Sequence, residues 1–229
     1  MIDLDRGHPH CVSASEIAAC PAETPVHPPA GAVEPRSPQG QGDHPNSTSR
    51  RVLGLDLSLT GTGLALIADR LGLHASTRTI RSGPVGPALA DRIVRAGDIT
   101  SEIENHLVGV DLVVIEGPSL HSRDAGTWER AGLWWHTVRR VHVYGIPVVE
   151  VPPTTLKKWA AGKGTADKSA VAAGVTRLWP DAEPGNDNEF DALALAHIGA
   201  QRLGMDVPSR AHHKDALAKI VWPELEVID

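Results

Sequence analysis

The stretch VDLVVIEGP (110–118) is a near-continuous apolar run that ends in a carboxylate. Such a run reads as a strand covered on both faces, hence as a central strand of a sheet that carries helices above and below. The flanking sequence supplies those helices. In ALADRIVRAGDITSEIENHL (88–107), Leu89, Ile93, Ala96, Ile99, Ile103 and Leu107 fall on one helical face. Residues 124–143 give a second helix with Trp128, Leu133, Trp134, Trp135 and Val138, and GIPVVEVPP (145–153) is another strand. Helix-connected strands of this kind are parallel and right-handed. Upstream, VLGLDLSL (52–59), GLALIAD (63–69) and LHASTRTIR (73–81) are strands separated by turn residues, and form an antiparallel meander. Downstream, TTLKKWAAG (154–162) and DKSAVAAGVTRLW (167–179) are helical, split by the basic loop GKGTA. Asn186 to about Leu203 is a final long helix with Asp187 or Asn188 near its cap, and a short helix follows around 212–220. The expected fold is α/β: a mixed five-stranded sheet, with a three-strand antiparallel meander plus two parallel strands and helices on both faces.

Composition sets the frame around that domain. At 229 residues, 41% hydrophobic and 22% charged, the chain has room for one domain and a tail. The tail is residues 1–50, rich in Pro, Gly, Ser and His and without apolar periodicity, so disorder is expected there. The domain is placed at 51–204 and a C-terminal extension at 205–229. Two cysteines, Cys11 and Cys20, exclude a disulfide scaffold, and their spacing from His8 and His10 matches no standard zinc pattern. No apolar run approaches the roughly 18–20 residues that span a bilayer, so no membrane partner is expected. The opening MIDLDRGHPH lacks a signal peptide's basic start and apolar run, and a cytoplasmic protein is expected. A net charge of −6 argues against indiscriminate binding to nucleic acid, so any such binding needs a local basic face.

Three carboxylates stand where burial is costly. Asp56 sits inside the first apolar strand, Glu116 ends the run LVVIEGP, and Asp191 heads DALALAHIGA in the last helix. Taken singly, each is open to a salt bridge or a capping role. Together, the two strands and the helix can bring them to one end of the sheet, where a divalent cation would hold like charges. Carboxylates without thiols or an obligatory imidazole select magnesium or manganese.

The ordered set VLGLDLSLTGTGLAL, VVIEGPSL, VPPTTLKKWAAGKGTADKSAV and NDNEFDALALAHIG resembles the RuvC family of Holliday-junction resolvases, within the RNase H-like superfamily. The resemblance covers about residues 51–204 and is closest to shorter, divergent members from phages and actinobacteria. It implies an RNase H-like fold, a homodimer, and a crossover junction endodeoxyribonuclease. Such an enzyme acts with two magnesium or manganese ions and leaves 5′-phosphate and 3′-hydroxyl ends on branched DNA. Residue by residue, Asp56, Glu116 and Asp191 match the family's metal-binding carboxylates. Asn188 stands where the family usually has another Asp or His, and is carried over as a catalytic and metal position with a neutral ligand. Asp187 lies four residues before Asp191 and shares its face, so it ranks as a substitute. Glu189 lies about 160° round the helix and points away.

The same resemblance assigns DNA contacts to the basic segment. Between 153 and 179, Lys157, Lys158, Lys163, Lys168 and Arg177 face only one acid, Asp167. Lys157 or Lys158, with Lys168, match the family's positions near the scissile phosphate. Lys163, His121 and Arg123 are further candidates, and Arg130, Arg139 and Arg140 can serve either DNA or the dimer. Of Trp128, Trp134 and Trp135, adjacent 134 and 135 point about 100° apart, so one is expected inside and another against a partner subunit. The alternatives are a broader RNase H-like nuclease for branched nucleic acids, a catalytically weak junction-binding protein, and an actin-like nucleotide binder. The last lacks a second Gly-rich Asp motif.

Overall fold

A computed structural model describes residues 49–118 and 126–224. The tail 1–48, His121, Arg123 and the last five residues lie outside this range, and with them the expectations placed there. Five strands form one sheet in the order β3-β2-β1-β4-β5. They are β1 (Arg51–Asp56), β2 (Gly61–Ala68), β3 (His74–Arg81), β4 (Leu112–Glu116) and β5 (Val148–Val151). β1, β2 and β3 pair antiparallel, whereas β1–β4 and β4–β5 are parallel, so the sheet is mixed as the sequence pattern implies. The helices are α1 (Leu89–Glu104), α2 (Thr127–Val143), α3 (Pro153–Ala161), α4 (Lys168–Thr176), α5 (Asp187–Arg202) and α6 (Ala211–Leu217). Among the described residues, no helix is long and apolar enough to cross a membrane.

The pleat sorts the strands' side chains between two cores. Leu53, Leu55, Val113 and Ile115 join Ile99, Ile103, Leu133 and Val141 from the α1/α2 side. Val52, Leu112 and Val114 join α3, α4 and α5 on the other side. Asp56 and Glu116 follow the second set by the same two-residue period, so both carboxylates are directed to the α5 side. The parallel register pairs Leu55 with Ile115, which leaves Asp56 and Glu116 as neighbours at the strand ends.

α5 is buried on nearly its whole circumference from Ala192 to Ala200. Two glycines allow its close approach. A Cβ on Gly54 would meet the carbonyl oxygen of Ala192 at 2.1 Å, and one on Gly63 would meet that of Asn188 at 2.0 Å.

The α1 stripe departs from expectation. Ile99, Ile103 and Leu107 are buried, but Leu89 is 64% and Ile93 61% exposed. The first turns of α1 run past the packed core and, with Trp128, flank an open cleft of about 730 Å³ lined also by Val85, Pro87 and Leu133. Residues 205–224 pack onto the core. Met205, Ala216 and Ile220 are buried in the same cluster as α3 and α5.

Candidate active site

Asp56 closes β1, Glu116 closes β4, and Asp191 lies one turn into α5. Asp56 is only 9% exposed. The side chains of Glu116 and Asp56 interact directly, which lowers the Asp56 carboxyl and raises that of Glu116. Burial, followed by the charges of Asp56 and Asp191, raises the Glu116 carboxyl well above its ordinary range, and Lys157 offsets part of this. Burial raises Asp56 as well, against the pull of the Glu116 hydrogen bond and Lys168. Asp191 is pushed up to about 7 by burial and then by Asp56, against the pull of Lys168. Asp56 and Asp191 therefore raise Glu116, and Asp56 raises Asp191, so the three lie within electrostatic reach of one another.

Burial and neighbouring charge raise all three carboxyls, which bears on what the site accepts. The donors are hard oxygens with excess negative charge. This donor chemistry fits a hard divalent cation. Among the described residues, no three His, Cys, Asp or Glu side chains are grouped so as to hold a metal ion by themselves.

The other residues singled out in sequence are placed as follows. Asn188 is half-buried and its Nδ2 donates to the carbonyl of Gly61, which pins the start of α5 to β2. Asp187 is exposed and pairs with Lys168 at 3.1 Å. The α5 cap is Asn186 rather than Asp187 or Asn188: its Oδ1 accepts from the backbone N–H of Asn188 and Glu189. Lys157 is half-buried beside the carboxylates, whereas Lys158 turns toward Asp215 at 3.8 Å. Lys163 is exposed in the loop between α3 and α4. Arg140 forks onto Glu104 and ties α2 to α1, and Arg139 is exposed.

Three supports of the site were not evident in sequence. Thr62 is fully buried, donating to the Ser58 carbonyl at 2.8 Å and accepting from the Ser58 N–H at 3.1 Å. It closes the turn after β1 and so holds the end of that strand. The hydroxyls of DLSLTGTG were the available signal. The indole of Trp134 donates to the backbone carbonyl of Glu116 at 2.9 Å, a contact with no sequence signature. Glu189 is buried and bonded to β3. Burial alone would raise its carboxyl, but hydrogen bonds from Thr79, Gly185, Thr77 and Asn186 outweigh that and hold it below its ordinary value.

No protein-family model matches the chain. Individual proteins do. The crossover junction endodeoxyribonuclease RuvC of Parvibaculum lavamentivorans is 34% identical over 153 residues, covering 65% of this chain and 85% of the relative. The crossover junction endodeoxyribonuclease RuvC of a Synechococcus species is 31% identical over 161 residues, covering 65% and 97%. Thermus thermophilus RuvC in complex with a Holliday junction substrate superposes with a TM-score of 0.55 at 27% identity, over 70% of this chain and 99% of that one. Identity at this level over nearly the whole of each relative, on the same mixed sheet, places the chain in the RuvC family.

Proposed function

We propose that the protein is a metal-dependent endonuclease that resolves four-way DNA junctions by paired hydrolysis of phosphodiester bonds, leaving 5′-phosphate and 3′-hydroxyl ends. The observation that carries this reading is the set of three raised carboxyls at the ends of β1 and β4 and the start of α5. Asp56, Glu116 and Asp191 would hold magnesium or manganese, with Asn188 contributing a neutral amide oxygen. Two divalent ions, when bound, activate water and stabilise the leaving oxygen. The chain's own part is to hold these oxygens at the sheet end and to offer Lys157 and Lys168 to the substrate phosphate. Lys163 extends the same basic margin, and Lys158 adds to it as a second-rank contact. Such contacts make binding fall with salt.

A homodimer fits the need for two symmetric cuts. We assign its interface to the cleft between α1 and α2, where Leu89, Ile93 and Trp128 leave an apolar face exposed. The expected compartment is the cytoplasm, where the DNA substrate is found.

Cleavage of a labelled four-way junction, beside linear duplex and a fork, tests the reading. Paired, ligatable nicks are expected in magnesium or manganese and not in EDTA. Asp56→Asn should lower the rate by more than the roughly 10–100-fold typical of changes outside the ligand set. Equal cutting of the fork would support a broader branched-DNA nuclease. Binding without cutting would support a junction-binding protein whose catalysis Asn188 has weakened.

A further inference from the structure

The start of α5 contains a further carboxylate, buried like Asp56, which the proposed chemistry leaves unused. Glu189 is 8% exposed and takes four hydrogen bonds. Thr77 Oγ1 and the Gly185 N–H both donate to its Oε2 at 2.9 Å. The Thr79 hydroxyl and Asn186 Nδ2 donate to its Oε1. Asn186 Nδ2 also reaches Thr79 Oγ1 at 2.6 Å. Thr77 and Thr79 belong to β3, the edge strand, so a single side chain ties the helix start and the loop before it to the sheet.

This anchor bears on the site through helix geometry. Residues 189 and 191 lie about 160° apart round the axis. Fixing 189 against β3 therefore turns 191 toward β1 and β4. The Asn188 amide on Gly61 is a second anchor on the neighbouring strand β2. Two anchors on different strands leave the first turn little freedom to rotate. A plain N-cap would not need them, because Asn186 already satisfies two of the free N–H groups.

We propose that Glu189 is a positioning residue for the carboxylate site: its clamp on β3 sets the rotation of α5, and hence where Asp191 stands relative to Asp56 and Glu116. This rests on the reading of those carboxylates as a metal site. Outer groups that hold ligands in place commonly contribute 10–100-fold to metal affinity.

The test uses the full chain and manganese alone as probe. Its affinity is read from the loss of the free-ion electron paramagnetic resonance signal, well below each variant's melting temperature. Wild type should bind manganese and Asp191→Asn should bind it more weakly, which checks the underlying reading. Glu189→Ala should weaken binding by about tenfold or more. Glu189→Gln keeps an acceptor for β3 and should recover most of that loss. Junction binding in EDTA should change less than twofold in both. A lower melting temperature with unchanged manganese affinity would make Glu189 merely structural and overturn the proposal. If Glu189→Ala does not fold, Thr77→Val/Thr79→Val decides, since it removes two of the clamp's donors and keeps the carboxylate. Unchanged affinity in that variant overturns the proposal equally. Wild type and Asp191→Asn alike failing to bind manganese is a different pattern, and would sink the site reading itself.

Discussion

Gly63 pairs with Asp56 across the β1–β2 ladder, and a Cβ there would lie 2.0 Å from the carbonyl oxygen of Asn188. The obstacle is backbone, so no rotamer change relieves it and α5 itself must move. Overpacking of this kind costs about 1–3 kcal/mol. Gly63→Ala should therefore lower the melting temperature by several degrees. It should also cut junction cleavage disproportionately, because the moving segment carries Asn188 and Asp191. Cleavage measured well below the melting temperature separates the two effects, and full activity there would refute the coupling. Much at this scale was legible in sequence. A carboxylate within an apolar strand is conspicuous because burial without a purpose is expensive, which is why Asp56 and Glu116 stood out. Glu189 does not, since in the acidic company of NDNEF nothing in the letters distinguishes a solvated acid from a clamped one. Its partners, Thr77 and Thr79, are more than a hundred positions away and look like ordinary strand residues.

Elements were read well where one period dominated. The five strands and their pairing followed from apolar runs and turn residues, and the parallel half from the intervening helices. The first turns of α1 depart from the pattern because an apolar stripe shows what wants to be covered, and not whether the same chain covers it. The C-terminal segment carries the short helix that its sequence suggests, but the sequence does not show how that helix docks. Its sequence is mixed, but α6 docks through side chains rather than through a stripe. His213 stacks on Trp159 with ring centroids 4.3 Å apart. Gln201 accepts from the Trp159 indole and donates to His213 Nδ1, both at 2.9 Å. His212 Nε2 contacts the Trp159 carbonyl at 2.9 Å. Ending the chain after Gly204 removes Met205, Ala216 and Ile220 from the core and leaves Gln201 without its imidazole. Two large apolar side chains at about 1.5–3 kcal/mol each give roughly 3–6 kcal/mol. That corresponds to a fall in melting temperature of about 10 °C or more. A truncated chain that melts like the full one would show that residues 205–229 are a true appendage.

Across the whole molecule, two groups of buried titratable side chains pull stability in opposite directions with pH. Asp56, Glu116 and Asp191 have raised carboxyls, so between about pH 4 and 8 the folded chain holds protons that the unfolded chain has released. Their contribution is present below pH 4 and is lost as pH rises through that window. His197 and His213 do the reverse. Burial carries His197 from 6.5 to about 3, and burial with the charges of His212 and Arg210 carries His213 to about 4. His106 is lowered too, by burial and Arg78. Their contribution is complete above pH 6.5 and is lost as pH falls toward 3. Above pH 6.5, then, of these groups only the carboxylates still act. In EDTA the melting temperature should fall between pH 6.5 and 8. One unit of proton linkage is about 1.4 kcal/mol, or roughly 3 °C or more for a chain of this size. Manganese binds the deprotonated carboxylates of the folded chain and adds about 2.7 kcal/mol at a hundred times its dissociation constant. It should flatten or reverse that alkaline fall while leaving the acid side unchanged. Asp191→Asn removes one of the three groups, so it should make the fall in EDTA shallower and blunt the gain from manganese. Melting curves at four pH values, with EDTA and with manganese, decide the matter. Parallel alkaline slopes under the two conditions would mean that the raised carboxylates and the metal site are not the same groups.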